Sequence, residues 1–178
     1  MPATRHLFFA LSPHAALRTA LATEAERLRI AWGGRATHPA KLHMTLLFLD
    51  AVPAAIPASI LDAARAAADT VAVPPFELAI DRTDRFGRRI GWLGCSQVPD
   101  ALQHLHDALA RACIERSVPM RREDAYVPHV TVLRDPRHAV PHAIAPLRWR
   151  VDAFQLMASA EGAYEVLGSW PLTCIPAR

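Results

Sequence analysis

Two short segments of this chain share one form. His43-Met44-Thr45-Leu46 and His129-Val130-Thr131-Val132 both read His, apolar, Thr, apolar, and they stand close to half the chain apart. In a β-strand, side chains at i and i+2 project to one face and those between them to the other. Each segment therefore reads as a strand with a polar pair on one side and an apolar pair on the other. A chain built this way must bury two apolar strand faces while keeping two imidazoles and two hydroxyls on open faces. A simple solution is two halves, each giving one such strand, with the polar faces turned toward a shared point.

The rest of the pattern fits that division. His6 to Leu11 reads as a short apolar strand. Ser12 as N-cap and Pro13 at the first helical position predict a helix to Arg29, with Leu17, Leu21 and Leu28 on one face and Gly33-Gly34 as its stop. Leu42 to Leu49 reads as a strand broken at Asp50 to Pro53, and Ala54 to Ala72 as an alanine-rich amphipathic helix. After Pro74-Pro75 come Phe76 to Ile80 and Ile90 to Cys95, which form a hairpin around an arginine-rich turn. Leu102, Leu105, Leu109 and Cys113 mark a helix from Asp100 to Arg116, and Val127 to Leu133 is a strand. A loop with Pro136, Pro141 and Pro146 follows, then a closing antiparallel pair, Trp149 to Ala158 with Tyr164 to Trp170. Hairpins mixed with helices favour α+β with antiparallel sheet over a doubly wound parallel fold.

Length and charge narrow the function. The 178 residues make one domain of ordinary size, long enough to bury a core without disulfides or metal. Lys+Arg number 20 against 17 Asp+Glu, the formal net charge is +3, and Lys41 is the one lysine. Positive charge is thus local and mostly arginine, which suits short contacts to phosphate better than wrapping a long duplex. Cys95, Cys113 and Cys174 are odd in number and lack C-x-x-C spacing, so neither a disulfide framework nor a zinc knuckle is encoded. Leu7 to Leu11 is too short for a signal sequence, and no run approaches the roughly 18 apolar residues of a membrane helix. A cytoplasmic monomer with no membrane partner is the expectation.

Two facing imidazoles can be one neutral and one protonated at the same pH, which concerted general base and general acid catalysis requires. Threonine hydroxyls are neutral donors suited to the non-bridging oxygens of a phosphodiester. Phosphodiester cleavage without metal or other cofactor is the reaction class that follows. A metal is less well supported, because no carboxylate or second histidine sits at ligand spacing beside either motif. His104 and His106 lie about 200° apart around a helix and read as surface residues. The plain structural alternative is two half-buried histidines packed on sheets.

At these residues the sequence resembles the 2H phosphoesterases, in particular their RNA 2′,3′-cyclic phosphodiesterase branch, also called 2′-5′ RNA ligases. The resemblance rests on Lys41 to Leu49 and Pro128 to Thr131. It extends through Arg5 to Leu11, Pro75 to Leu78, Ile90 to Gly94, Tyr164 to Leu167 and Trp170 to Leu172. It implies one bilobal domain over residues 1–178: two pseudo-symmetric α+β lobes of antiparallel sheet, helices packed outside, and the active-site cleft between them. It implies His43 as proton donor, His129 as proton acceptor, Thr45, Thr131 and Arg134 as phosphate contacts, and a 2′-phosphomonoester product from RNA ends or nucleotides with 2′,3′-cyclic phosphate. The family arginine just before Pro-His is Val127 here; Arg121 or Arg122 could substitute, although both read more readily as solvated arginines. Tyr126 could stack on a base, whereas Phe9 and Phe48 read as core. Two alternatives keep the motifs: a 2′-5′ linkage phosphodiesterase or ligase at the same site, and a non-catalytic RNA-binding module. The second fits less well, since phosphate binding alone is better served by arginine or lysine.

Overall fold

The computed structural model describes residues 4–121, 125–160 and 163–173; Arg122 and Cys174 lie outside them. The chain runs β1 (Thr4–Leu11), α1 (Ala15–Trp32), β2 (Arg35–Ala36), a 3-10 turn (Pro39–Lys41), β3 (Met44–Pro53), α2 (Ala58–Ala68), β4 (Phe76–Phe86) and β5 (Ile90–Gly94). It continues with α3 (Asp100–Glu115), β6 (His129–Arg134), β7 (Ala143–Val151), β8 (Ala153–Ala160) and β9 (Ala163–Pro171). The strands pair in the order β7-β4-β5-β6-β3-β1-β8-β9, every neighbour antiparallel, and β2 adds to β6. The α+β antiparallel class is as expected.

The sheet has two four-stranded halves. β3 and β6 meet at one register position, Met44 opposite Val130, and each half fans outward from that seam. Strand, helix, strand repeats in both, as β1-α1-β3 and β5-α3-β6 with the two strands of each unit paired, and the helices cross the seam: α1 packs against β6 and β7, and α3 against β3. The helical spacing holds. Leu17, Leu21, Ala25, Leu28 and Trp32 of α1 are buried, as are Leu102, Leu105, Leu109 and Cys113 of α3, in one core with Leu7, Phe9, Met44, Leu46, Val130 and Val132. Fully burying a side chain of leucine or phenylalanine size contributes about 1.5–3 kcal/mol, and Phe9, Leu21, Leu105 and Phe154 are all at 0% exposure. The alternate residues Phe8 and Ala10 of β1 instead join Met157 in a small second cluster, on the face that carries the site.

Several boundaries differ from the sequence reading. The cap of α1 is His14, whose Nδ1 accepts from Leu17 N–H at 3.3 Å, because the Ser12 hydroxyl is drawn away to donate to Gln155 Oε1 on β8 at 2.6 Å. β3 continues through Asp50 to Pro53, since β1 runs alongside and pairs as far as Thr4 with Pro53. α2 is shorter than its alanine-rich stretch and begins after Pro57. The segment Trp149 to Ala158 is two strands: β7 ends at Val151 and pairs with β4 at one edge, while β8 pairs with β1 and β9 in the other half. Pro146 lies inside β7, where an edge strand tolerates a residue without an N–H.

Candidate active site

Strand alternation at the seam does what the motif spacing predicts. Met44, Leu46, Val130 and Val132 point into the core, each at 1% exposure or less. His43, Thr45, Thr131 and Arg134 line one cavity of about 240 Å³ on the opposite face, together with Lys41 and Thr37. His6 and Phe8 of β1, Phe48 of β3, Ser159 of β8 and Tyr164 of β9 complete its wall. Both halves of the sheet therefore contribute to one cavity.

The two imidazoles are held alike. His43 Nδ1 lies 2.8 Å from the Lys41 carbonyl and His129 Nδ1 lies 2.7 Å from the Val127 carbonyl. A carbonyl oxygen only accepts, so in both rings Nδ1 carries the proton and donates, which leaves Nε2 as the nitrogen that gains or loses one. Val127, where the resemblance predicts an arginine just before Pro-His, thus acts through its backbone; its side chain is 40% exposed. Each ring also sits between two aromatic side chains. His43 stacks on Phe8 at 5.1 Å between ring centroids and meets Tyr164 edge-on at 4.9 Å. His129 meets Phe86 edge-on at 4.8 Å and Trp92 at 5.9 Å. His129 does not line the 240 Å³ cavity, yet its charge acts on His43.

The environment of His43 favours its neutral form. Burial lowers its pKa from the ordinary 6.5, the Lys41 carbonyl works the other way, and the positive charges of His129, Arg134 and Arg18 lower it further. Burial likewise raises the Tyr164 phenol, against a smaller lowering by Arg134. Arg18 on α1 donates to the carbonyls of Pro39 (2.9 Å), Leu42 (3.2 Å) and Pro13 (3.0 Å), fixing the turn that delivers His43.

Other residues lie where sequence reasoning did not put them. Phe48 faces the cavity, while Phe9 is core as expected. His106 is part-buried, its Nδ1 donating to the Leu46 carbonyl at 2.7 Å and its ring stacked on Tyr126 at 4.0 Å. His104 is exposed. Tyr126 lies outside the cavity lining. Arg121 is exposed, as expected, with its guanidinium 6.0 Å from the Phe48 ring centroid, beside the cavity. Two buried polar atoms, Thr37 Oγ1 in the cavity wall and Trp92 Nε1 near His129, have no hydrogen-bond partner among the described residues. Among those residues no group of three or more His, Cys, Asp or Glu is gathered as a metal-ligand set, and no helix is long and apolar enough to cross a membrane.

A sheet of two antiparallel halves, carrying one His-x-Thr strand from each at its seam, defines the class of two-histidine phosphoesterases. The chain belongs to the 2'-5' RNA ligase superfamily, which it matches over residues 17–163. It is 33% identical over 147 residues to the RNA 2',3'-cyclic phosphodiesterase of Escherichia coli strain K12, covering 79% of this chain and 81% of that protein. The fold is similar to that of E. coli LigT in complex with 3'-AMP, with a TM-score of 0.82, 28% identity, and coverage of 96% of this chain and 99% of the other. TT0787 of Thermus thermophilus shares the fold at a TM-score of 0.74, 22% identity, and coverage of 95% and 98%.

Proposed function

We propose that this phosphodiesterase opens a 2′,3′-cyclic phosphate at an RNA end or on a nucleotide to leave a 2′-phosphomonoester, without a metal. His43 acts as general acid and His129 as general base. The observation that carries this reading is the matched anchoring of the two rings, each Nδ1 bonded to a backbone carbonyl two residues earlier, across one seam. A water oxygen bonds to phosphorus while His129 Nε2 takes its proton. The bond from phosphorus to O3′ breaks, and His43 Nε2 gives its proton to O3′. Thr45 and Thr131 donate to the non-bridging oxygens, and Arg134 offsets the charge that grows on them.

The depressed basicity of His43 fits the acid role once substrate is present. Three positive groups disfavour the imidazolium in the free site. A bound phosphate anion opposes that field, so the ring gains its proton as substrate arrives, beside the oxygen that needs it.

The test is incubation of the purified protein with excess chelator and a nucleoside 2′,3′-cyclic phosphate, followed by location of the product phosphate. The 2′-phosphate is expected. No turnover, turnover restored only by a divalent ion, or a 3′-phosphate product would each overturn the reading. Joining a cyclic-phosphate end to a 5′-hydroxyl in a 2′-5′ linkage displaces O3′ in the same way with the hydroxyl in place of water, and adding a 5′-hydroxyl RNA acceptor measures that reaction.

A further inference from the structure

A second cavity, of about 790 Å³, adjoins the first along His6 and Arg134, which line both. Its remaining charged wall is Arg35, Arg89, Arg121 and Asp135. Backbone pairing gathers these arginines. Arg134 on β6 has Arg35 of β2 as partner on one side and Ile90, next to Arg89, on the other. The Asp135 N–H donates to the Arg89 carbonyl at 2.9 Å, and the Arg121 N–H donates to the Phe48 carbonyl at 3.2 Å. Gly34, at φ +89°, lets β2 approach this closely, since a Cβ there would lie 2.5 Å from the Arg134 carbonyl oxygen. Asp135 pairs with Arg35 at 2.9 Å. Arg89, Arg121 and Arg134 have no carboxylate partner among the described residues. Three exposed guanidinium groups lining one cavity give it a positive field that attracts an anion.

The geometry points to a second phosphate subsite: Arg35, Arg89 and Arg121, beside the shared Arg134, take the phosphate on O5′ of the nucleotide whose 2′,3′-cyclic phosphate reacts. This rests on the cyclic-phosphate reading above and adds a substrate requirement to it. One ribose separates the two phosphates, as the Arg134 and His6 wall separates the two cavities. Two sources share this chemistry, the next phosphodiester of an RNA strand and a terminal 5′-phosphomonoester.

Direct titration separates them. Wild-type protein is titrated with adenosine 2′-phosphate, with adenosine 2′,5′-bisphosphate and with a dinucleotide ending in a 2′-phosphate. One well-made charge-assisted contact corresponds to about 10- to 100-fold in affinity, so the second phosphate should tighten binding by at least that factor. The Arg89→Ala/Arg121→Ala double variant should lose this gain while affinity for the 2′-monophosphate falls far less. A gain with both larger ligands assigns the strand phosphodiester; a gain with the bisphosphate alone assigns a free 5′-phosphate. Equal wild-type affinity for all three ligands, or an equal loss of all three in the variant, would overturn the subsite. Turnover of adenosine 2′,3′-cyclic phosphate by wild-type protein, measured in parallel, tests the hydrolytic reading by itself, because the titration needs no catalysis.

Discussion

Met44 and Val130 stand opposite each other where β3 meets β6, and each directly follows the histidine of its motif. Both are at 0% exposure. The distance between the two imidazoles is therefore set by an apolar pairing on the reverse face of the sheet. Met44→Ala should cost about 2–5 kcal/mol of stability through the cavity it leaves. It should also lower kcat at temperatures where the fold persists. Denaturant unfolding with turnover on the same samples checks this, and wild-type stability in the variant would contradict a seam that depends on Met44.

Removing either ring tests the division of labour. General acid and general base contributions are each about 10²- to 10⁴-fold, so His43→Ala and His129→Ala should each lower kcat within that range. Because both protons move in one event, the double variant should be little slower than the slower single variant. Near-normal turnover in either single variant would sink the two-histidine mechanism.

The pH dependence has a definite sign. His43 must be protonated to act as acid, and its pKa in the free protein lies below 6.5. The alkaline limb of kcat/KM, which reports the free protein, should therefore fall below that value. Bound phosphate raises the pKa, so the alkaline limb of kcat should lie at higher pH than that of kcat/KM. Stability follows the same linkage. Between the folded pKa and 6.5 the unfolded chain holds more protons, so the contribution of neutral His43 is complete above 6.5 and is lost as pH falls through that window. His43→Gln should flatten this part of the stability profile, and superimposable kcat and kcat/KM limbs would refute the proton-loading account.

Much of the site was legible because its signal is local. The two-residue period of His43 with Thr45, and of His129 with Thr131, assigns faces without any knowledge of partners. The aromatic walls were not legible in that way. Phe8 and Phe9 are neighbours in sequence, and alternation says that they face opposite ways but not which one meets His43. That choice belongs to the pairing of β1 with β3, whose register shifts between Leu7 and Phe8 and again between Phe9 and Ala10. Tyr164 reaches His43 from β9, and Trp92 and Phe86 reach His129 from β5 and β4, so no sequence window contains either ring with its wall. Helix α3 was read nearly to its ends because its apolar spacing is regular. The break at Asp152 leaves one local trace, the shift of the buried face from Trp149 and Val151 to Phe154 and Leu156, but the change of partner from β4 to β1 that it marks is not local.

Phe8 supplies much of the apolar surface beside His43. Phe8→Ala should admit water to the ring, weaken the largest cause of its lowered pKa and move the alkaline limb of kcat/KM up toward 6.5. Truncating a buried phenylalanine also costs about 3–5 kcal/mol, so the profile is taken at a temperature well below the unfolding midpoint. An unmoved limb in the folded variant would show that Phe8 does not set the basicity of His43.

Gly94 lies opposite His129 in the β5–β6 pairing, and this position has little room for a side chain. A Cβ there would stand 2.7 Å from the Trp92 ring and 3.0 Å from the Pro128 carbonyl oxygen. Trp92 is 3% exposed, is covered by the Arg82 guanidinium at 5.2 Å, and packs beside Phe86 and His129, so its ring cannot yield without moving its neighbours. Gly94→Ala should cost about 1–3 kcal/mol by overpacking. It should lower kcat by up to about 100-fold through displacement of His129, the penalty of an ångström-scale misplacement. The route is testable by a double-mutant cycle. If the methyl acts through the indole, adding Gly94→Ala to Trp92→Leu should cost much less in kcat than adding it to wild-type protein. Additive losses would mean that the methyl reaches His129 through the Pro128 backbone instead.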